Sequence, residues 1–395
     1  MRRWISILLA VCAMMALCVP ASAASSYNYT AQEKKDIERT LEMFHWYLDE
    51  YSGATALDVQ DYNPIGIMRS LTANPLCVDY SMYPVEQPQK IPSGRDPLGR
   101  WKWYYKTSEK SVEWVLKYML RLTDAQIATL IARVDSGAYS GVYRYQGYYY
   151  AGWGGVGGVY DVAISSVIQD GTYYRVTYRL HGGDGYYEDM GTRYAVFTRT
   201  AYEGKQYWSL RYIGKNKPAS GMPFLDVMES DYYASPISWA YENGITAGTS
   251  DITFSPEAPC TRGQVVTFLW RASGSPAPKS SKNPFRDVPA GAYYTSAVLW
   301  AVEKGLTNGT TPTTFSPDDG CTRGQVVTFL HRLHGAPAAA GSNPFRDVPR
   351  GEYFYDAVLW AVGKGITNGT SATTFSPEAT CTRGQIVTFL YRDLK

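Results

Sequence analysis

The sequence predicts two folds in one chain of 395 residues: an α+β N-terminal domain, followed by a mainly α-helical C-terminal region. The first observation is a self-similarity that covers residues 222–395 in three copies. The second is a change in hydrophobic period upstream of the repeats, from three or four residues to two after Tyr139. The third is an N-terminal segment typical of export. The N-terminal domain is therefore expected to contain helices and then an antiparallel β meander.

Residues 1–23 are predicted to be a secretory signal peptide. Arg2 and Arg3 form the charged start, Ile5 to Val19 the apolar run, and Ala-Ser-Ala at 21–23 the cleavage pattern. The run is too short for a lasting membrane span, so we expect a secreted protein with no span after cleavage. Cleavage removes two of the 38 basic residues and leaves 36 against 36 acidic residues. A formal charge of zero provides no steering toward nucleic acid.

Residues 24–216 are expected to form the α+β domain. A capping box at Thr30–Glu33 opens an amphipathic helix, and two further helices are predicted over Val112–Leu120 and from Thr123 to Gly137. Downstream of these helices, apolar and polar residues alternate, which predicts four or five antiparallel strands. Hairpin turns are predicted at two dipeptides: Asp170-Gly171 and Glu203-Gly204.

The candidate functional residues of this domain form no recognisable catalytic signature. Cys77 and His181 could act as nucleophile and base, and Asp184, Glu188 and Asp189 could include a carboxylate pair, but a simple loop explains these acids as well. An aromatic surface for stacking on a sugar or wall peptide is a further candidate, and a strand with alternate residues in the core explains the same pattern. Its members are Tyr148, Tyr150 and Trp153. The sequence identifies no catalytic residue, metal site or cofactor, and no partner for this domain.

Three near-identical segments occupy the C-terminal region: residues 222–273, 283–334 and 343–395. Each opens on F-[LR]-D-V, carries a Trp 15 positions after the Phe, and carries a Thr 22 positions after that Trp. These internal spacings are the same in all three copies, whereas the linkers rich in Ala, Ser, Pro and Gly differ. Each copy is therefore predicted to be one supersecondary unit.

Each repeat is predicted to be a helix, a loop with Phe-Ser-Pro, and a second helix that begins at Thr-Arg-Gly-Gln. The first helix ends at a glycine, and Thr and Gln form a capping box at the start of the second. The Arg falls at the first helical position, beside free backbone N–H groups and the positive end of the helix dipole. A cation there is unfavourable unless an anion joins it, which predicts that the arginines are turned outward to meet a carboxylate or phosphate ligand. The alternative is an ion pair with the F-x-D-V aspartate. The arginines are Arg262, Arg323 and Arg383, and the aspartates are Asp226, Asp287 and Asp347.

Signal cleavage leaves four cysteines, three of which occupy the same position in the three repeats: Cys260, Cys321 and Cys381. Equivalent positions seldom pair with each other, so we expect buried free thiols. The alternative is one disulfide between repeats with one thiol left over. No C-x-x-C or C-x-H spacing supports a metal site.

The combination of F-x-D-V, a helix with W-A and a terminal Gly, F-S-P, and T-R-G-Q-[VI]-V-T-F-L resembles the S-layer homology (SLH) family over residues 222–395. The resemblance implies a compact pseudo-three-fold unit with grooves that bind secondary cell-wall polymer, often carrying ketal-linked pyruvate. It also implies that the Arg contacts the acidic sugar, helped by the early Asp and the helix Trp. These tryptophans are Trp239, Trp300 and Trp360, and burial in the core is an equal expectation for them. The family's T-R-A-E is T-R-G-Q here, and Gln still completes the capping box.

These inferences favour a secreted cell-surface protein that is anchored non-covalently to acidic cell-wall polysaccharide, with pyruvylated polymer as a candidate, and that displays its N-terminal domain for binding. The alternative is an anchored enzyme that acts on wall or environmental glycan or peptide, with an active site within residues 27–215. An enzyme requires a pocket where perturbed acids converge, whereas a binding module presents an open aromatic face. A structural S-layer subunit is less favoured, because lattice proteins usually carry much more chain beyond the anchor.

Overall fold

The computed structural model divides between Gly221 and Met222 into two compact units. It describes residues 24–51, 56–58, 85–86, 89–90, 104–135, 142–152, 159–183, 188–339 and 341–395. Several sequence predictions lie outside the described residues: the signal peptide, Cys77, Trp153 and Asp184.

The N-terminal unit contains three helices and two antiparallel sheets within the described residues. Its elements are β1 (Ser25–Ser26), α1 (Ala31–Tyr51), β2 (Ala56–Asp58), β3 (Gln89–Lys90), β4 (Tyr104–Ser108), α2 (Glu109–Trp114), α3 (Asp124–Asp135), β5 (Val142–Tyr145), β6 (Tyr148–Gly152), β7 (Val159–Asp170), β8 (Tyr173–Gly183), β9 (Glu188–Tyr202) and β10 (Lys205–Gly214). The larger sheet has the order β1-β7-β8-β9-β10-β2, and the smaller has the order β3-β4-β6-β5. Strands β5–β10 lie in the region predicted to form one meander, but only β7–β10 follow one another in the larger sheet, and the separate smaller sheet that contains β5 and β6 was not predicted.

The core of this unit lies between α1 and one face of the larger sheet. Helix α1 packs against β7 and buries Ile37 and Leu41 completely. On β8, the predicted alternation is confirmed, because Val176, Tyr178 and Leu180 are buried while their neighbours are half-buried or exposed. Burial of such side chains supplies roughly 1.5–3 kcal/mol each, which holds the helix to the sheet.

The second predicted helix is only partly α-helical. Helix α2 continues into a π-helical turn at Val115–Met119, which buries Leu116 and Met119 in the core. The Ser209 hydroxyl of β10 donates to the Tyr118 carbonyl in this turn. A wider turn frees backbone carbonyls from the usual helical bonds, and the sheet supplies a donor for one of them.

Both predicted hairpin turns are present. Gly171 (φ +62°) lies between β7 and β8, and Glu203 and Gly204 (φ +46° and +78°) join β9 to β10. At Glu203-Gly204, two successive left-handed residues form the turn whose twist matches that of the paired strands. Glycine at the second position adopts this conformation without a steric penalty.

The C-terminal unit consists of three helix-loop-helix repeats, as predicted. Its helices are α4 (Ala234–Glu242), α5 (Arg262–Ala272), α6 (Thr295–Glu303), α7 (Arg323–Leu333), α8 (Tyr355–Gly363) and α9 (Arg383–Leu394). The capping box is formed at the start of all three second helices. The loop phenylalanines are completely buried in each repeat: Phe254, Phe315 and Phe375.

The repeats contact one another in a closed cycle. The second helix of each repeat packs against the first helix of the following repeat, and the last packs against the first: α5 with α6, α7 with α8, α9 with α4. At the centre, the backbone N–H of each cysteine donates to the carbonyl of another at 2.9 Å, from Cys260 to Cys381, from Cys381 to Cys321 and from Cys321 to Cys260. The three thiols are free and completely buried, which confirms the prediction made for them.

Candidate functional site at the repeat junctions

Each second helix begins at the surface of the next repeat. The Thr261 hydroxyl accepts the N–H of Gln264, and the Gln264 amide oxygen accepts the N–H of Thr261, both at 3.3 Å. The N–H of Gly263 then donates to the Pro317 carbonyl of the second repeat at 2.8 Å. The local capping box and the contact between repeats therefore coincide in one turn of the chain.

The glycine of Thr-Arg-Gly-Gln lets an aromatic ring of the next repeat pack against the helix start. A Cβ at Gly324 would lie 3.0 Å from the Phe354 ring, and one at Gly384 would lie 2.9 Å from the Tyr233 ring. Such distances are too short for an ordinary contact, so alanine would force the ring or the helix to move. This close packing explains glycine where the family pattern has alanine.

The three arginines are buried. Arg262, Arg323 and Arg383 are 4%, 5% and 4% exposed, so the expectation that they would project into solvent is wrong. Each Nε–H donates to the carbonyl of a loop phenylalanine in another repeat. The pairs are Arg262 to Phe315 at 2.9 Å, Arg323 to Phe375 at 2.9 Å, and Arg383 to Phe254 at 2.8 Å. The arginines therefore hold the repeats together through backbone carbonyls.

Aromatic rings surround each guanidinium group. The Arg262 guanidinium carbon lies 4.8 Å from the Phe315 ring centroid and 5.6 Å from the Phe329 ring centroid, and the other two junctions have the same arrangement. Burial lowers the pKa of all three guanidinium groups below the ordinary arginine value. In the described residues, no carboxylate forms an ion pair with them. Carbonyl dipoles and ring faces stabilise the positive charge directly, and the F-x-D-V aspartates act on it electrostatically without an ion pair.

The aspartates bind the loop backbone instead of the arginines. Asp287 accepts the N–H of Phe315 at 2.9 Å and the N–H of Ser316 at 2.7 Å, and the equivalent bonds form in the other repeats. Although burial acts to raise the pKa of Asp287, these two backbone bonds hold it below its ordinary value. The peptide group between Phe315 and Ser316 connects Asp287 to Arg262. Its N–H, on Ser316, donates to the Asp287 carboxylate, and its carbonyl, on Phe315, accepts the Arg262 Nε–H. The aspartate positions the arginine through the loop, without an ion pair.

The tryptophans of the first helices differ in exposure. Trp300 and Trp360 are 2% and 5% exposed and belong to the core, whereas Trp239 is half-buried and packs edge-on against Tyr391. Within the described residues, the indole N–H groups of Trp300 and Trp360 have no hydrogen-bond partner. Only Trp239 therefore presents a ring edge at the surface.

Three exposed tyrosines complete the junctions, and the sequence analysis did not identify them. Tyr232, Tyr293 and Tyr353 are 60%, 57% and 54% exposed, and each packs edge-on against the next aromatic ring. Tyr293 interacts with Thr261 of the first repeat and with Arg383 of the third. Each tyrosine therefore lies where all three repeats meet. Their constant position, eight residues after the F-x-D-V phenylalanine, is the signal that could have revealed them.

The candidates of the N-terminal unit do not converge on one site. His181 Nε2 lies 3.9 Å from the Asp189 carboxylate, which is paired with Arg179. Hydrogen bonding to Arg179 lowers the pKa of Asp189 to about 2, so this carboxyl is not a general acid at neutral pH. Glu188 is exposed beside it.

The aromatic candidates of β6 are largely internal. Tyr150 is 6% exposed, so its ring cannot stack on a ligand in this conformation. Tyr148 is half-buried, with the Lys106 ammonium 4.5 Å from its ring centroid. Among the described residues of the predicted aromatic surface, only Tyr148 is partly accessible to solvent.

Among the helices in the described part of the chain, none combines the length and the apolar composition that crossing a bilayer requires. In the same residues, no group of three or more His, Cys, Asp or Glu side chains is arranged to hold a metal ion.

The three repeats thus form one module, in which they contact one another in a closed cycle and each junction carries an arginine and a tyrosine. A family model described as "S-layer homology domain" matches residues 223–266, 284–327 and 344–387. The C-terminal unit therefore carries three tandem S-layer homology domains, and this confirms the resemblance seen in the sequence.

Parts of the chain are also similar to three curated proteins. It is 32% identical over 121 residues to a "Cell surface protein" of Thermoanaerobacter kivui, which covers 30% of this chain and 16% of that protein. It is 34% identical over 117 residues to an "Endoglucanase" of Bacillus sp. (29% and 12%), and 25% identical over 150 residues to a "Cellulosome-anchoring protein" of Acetivibrio thermocellus (36% and 33%). The matches thus span a third or less of these relatives. Together with the repeats, they indicate a location at the cell surface or cell wall.

Proposed function

We propose that the three S-layer homology repeats form a pseudo-three-fold unit that anchors the secreted protein non-covalently to an acidic cell-wall polysaccharide. The N-terminal unit is then displayed at the cell surface for binding. The observation that carries this proposal is the junction itself, where a buried, unpaired guanidinium group lies near an exposed tyrosine. This combination recurs at three equivalent places.

The buried charge favours an anionic ligand. A cation that is removed from water and has no carboxylate partner gains free energy when an anion approaches, because the surrounding rings and carbonyls screen the attraction poorly. Arg323, for example, has backbone and thiol hydrogen-bond partners, and Asp347 acts on it electrostatically without forming an ion pair. A polymer that carries carboxylate or phosphate groups supplies the missing charge.

The exposed tyrosine provides a face for the sugar. Tyr232 interacts electrostatically with Arg323, so a sugar that stacks on this ring brings its acidic substituent toward the guanidinium group. Tyrosine suits this role because its ring is apolar and its hydroxyl group remains hydrated. The arginine then acts from beneath the surface, and direct contact with the ligand falls mainly to the tyrosine.

Three junctions in one rigid unit make the attachment strong. A polymer with repeating acidic units can occupy several junctions at once, and each further contact forms at a high effective concentration. Weak individual sites therefore hold the protein firmly to the wall.

The proposal can be tested by changing Tyr232, Tyr293 and Tyr353 together to Ala in the mature full-length protein. Because these side chains are more than half exposed, the variant should keep its melting temperature. Its apparent affinity for purified Gram-positive cell walls should fall about tenfold or more, since three stacking contacts are lost. Sedimentation with walls over a range of protein concentrations measures this change.

Leu394→Ala is the matched control. Leu394 is the other large hydrophobic residue found exposed in the described chain, and its loss should leave wall binding unchanged. If the triple tyrosine variant binds walls as the wild type does, the junctions are not the binding sites.

A further inference from the structure

Two of the repeats carry an asparagine directly before a glycine that the loop requires. Gly309 and Gly369 follow Asn308 and Asn368, and both glycines have a left-handed backbone, with φ of +87° and +84°. A Cβ at Gly309 would lie 2.4 Å from the Thr314 carbonyl oxygen, and the other glycine is enclosed at 2.6 Å. Because no side chain fits either position, each asparagine precedes a glycine that cannot be replaced.

An Asn-Gly pair can modify itself in water. The glycine backbone nitrogen loses its proton to a base in solution and attacks the asparagine Cγ. A bond forms between these two atoms, and the bond from Cγ to the side-chain nitrogen breaks, so this nitrogen leaves as ammonia. Water then opens the resulting succinimide ring to aspartate or isoaspartate. Glycine favours ring closure because it has no Cβ to crowd the ring, and such asparagines are therefore thermolabile.

The first repeat contains a third Asn-Gly pair, whose surroundings are different. Asn243 is exposed, as Asn308 and Asn368 are, but its Nδ2 donates to the Trp239 carbonyl at 2.8 Å. The Gly244 N–H donates to a further carbonyl of helix α4 at 3.0 Å. The end of the helix thus holds both reacting groups and opposes ring closure, so Asn243 serves as an internal comparison.

In the two loop pairs, a buried threonine hydroxyl is the restraint on the glycine nitrogen. The Gly309 N–H donates to Thr307 Oγ1 at 3.0 Å, and the Gly369 N–H donates to Thr367 Oγ1 at 3.3 Å. Both threonines are 2% exposed, so water does not readily replace them as acceptors. The nitrogen must give up this bond before it attacks, and the bond therefore slows the reaction.

The same two loops hold the repeats together. The Phe315 carbonyl accepts the Arg262 Nε–H, and the Phe375 carbonyl accepts the Arg323 Nε–H, both at 2.9 Å. Isoaspartate inserts a methylene group into the backbone upstream of these carbonyls and displaces them from the arginines. The loop of the first repeat has Ala247 at the equivalent position and cannot undergo this change.

We propose that Asn308 and Asn368 are sites of spontaneous deamidation, restrained by Thr307 and Thr367, and that their conversion to isoaspartate loosens two of the three repeat junctions. The reaction requires water and base alone. It goes beyond the anchoring function and does not depend on it.

Peptide mass spectrometry of the mature full-length protein, aged at mildly alkaline pH, tests the sites. The mass gain of an amide-to-acid exchange should accumulate at Asn308 and Asn368, while Asn243 remains largely unmodified. The inference is overturned if Asn243 reacts as fast as the two loop asparagines.

Thr307→Val and Thr307→Ser test the restraint. Valine removes the acceptor, so deamidation at Asn308 should accelerate about five- to tenfold, the factor expected for one ordinary hydrogen bond, with no change at Asn368. Serine keeps a hydroxyl group and should leave the wild-type rate. Equal rates in the two variants would contradict the restraint. Faster reaction at all three asparagines would assign the effect to unfolding and overturn a local restraint as well.

Thermal unfolding of fresh and aged protein tests the structural consequence. Ageing should lower the melting temperature of the repeat unit by about 2–4 °C, because two carbonyl contacts are weakened. The double variant Asn308→Gln and Asn368→Gln keeps both amides on a longer side chain that disfavours ring closure, and it should keep its melting temperature on ageing. Equal losses in the wild type and the double variant would show that deamidation does not loosen the junctions.

Discussion

The two units of the molecule neutralise their arginines in different ways. In the N-terminal unit, three arginines pair with carboxylates: Arg175 with Asp170, Arg179 with Asp189, and Arg199 with Glu33. The buried Arg193 of this unit instead donates to the carbonyl of its neighbour Thr192. In the C-terminal unit, the three junction arginines are more deeply buried, yet they meet backbone carbonyls and aromatic rings. The first arrangement neutralises its charges by ion pairs within the chain, whereas the junction arginines form no ion pair in the described residues, and the proposed acidic ligand would supply one.

This difference indicates where a ligand is expected. Burial of an unpaired cation is costly, and a fold retains it where an interaction outside the fold compensates the cost. The paired arginines of the N-terminal unit need no such explanation. The contrast therefore points to the repeat junctions, and away from the charged strands, as the binding region.

The largest expected effect on stability comes from replacing one carboxylate-paired arginine and one junction arginine with methionine. Arg175→Met leaves the Asp170 carboxylate buried without its cation, because both side chains are 10% exposed. We expect a loss of about 3 kcal/mol in the free energy of unfolding. Arg262→Met removes one carbonyl bond and one amide bond but leaves no unpaired carboxylate, so about 1.5 kcal/mol is expected.

Chemical denaturation of each variant, followed by unit-specific probes, measures the two losses. The contrast between the units fails if Arg262→Met costs as much as Arg175→Met, since that would indicate a hidden carboxylate partner at the junction.

A smaller effect on stability is expected from alanine substitution at two glycines, Gly324 of the second repeat and Gly363 of the third. Gly324→Ala places a Cβ 3.0 Å from the Phe354 ring, and we expect it to cost about 1–2 kcal/mol. Gly363→Ala, on helix α8, meets no atom within 4 Å and should stabilise the unit by about 0.5–1 kcal/mol. Thermal unfolding of the two variants compares them directly, and equal effects would contradict close packing at the junction.

The smallest effect concerns acid stability. Because backbone N–H bonds hold the Asp287 pKa below its ordinary value, its contribution to stability is present above the unfolded pKa and is lost as the pH falls through the folded pKa. Asp287→Asn should cost about 1 kcal/mol at pH 7 and progressively less at acidic pH below about 4. Denaturation curves from pH 7 to pH 3 test this trend, and a loss that is independent of pH would contradict it.

The parts of the site that depend on neighbours in sequence could be predicted. The capping box needs only Thr261 and Gln264, three residues apart, and it forms as expected in every repeat. The hairpin turn at Glu203-Gly204 is equally local. In such cases, the residues that determine the structure lie within one turn of the chain.

The orientation of the arginines could not be predicted, because their partners are distant in sequence. Arg262 donates to a carbonyl 53 residues away, and Arg383 to one 129 residues away. A helix start favours an anion from outside or from a nearby side chain, but a buried carbonyl of another repeat competes once the cycle closes. The smaller sheet was missed for a different reason: its edge strand β3 contributes only two residues, which pair with β4 and are too few to show a period.

The most direct test of the account is wall binding by the mature full-length protein before and after chemical removal of the acidic polymer. We predict that intact Gram-positive walls retain the protein, and that increasing NaCl releases it, because the junction charges are screened. Stripped walls should not retain it. Equal retention by intact and stripped walls would show that the junction cations do not recognise an acidic polymer.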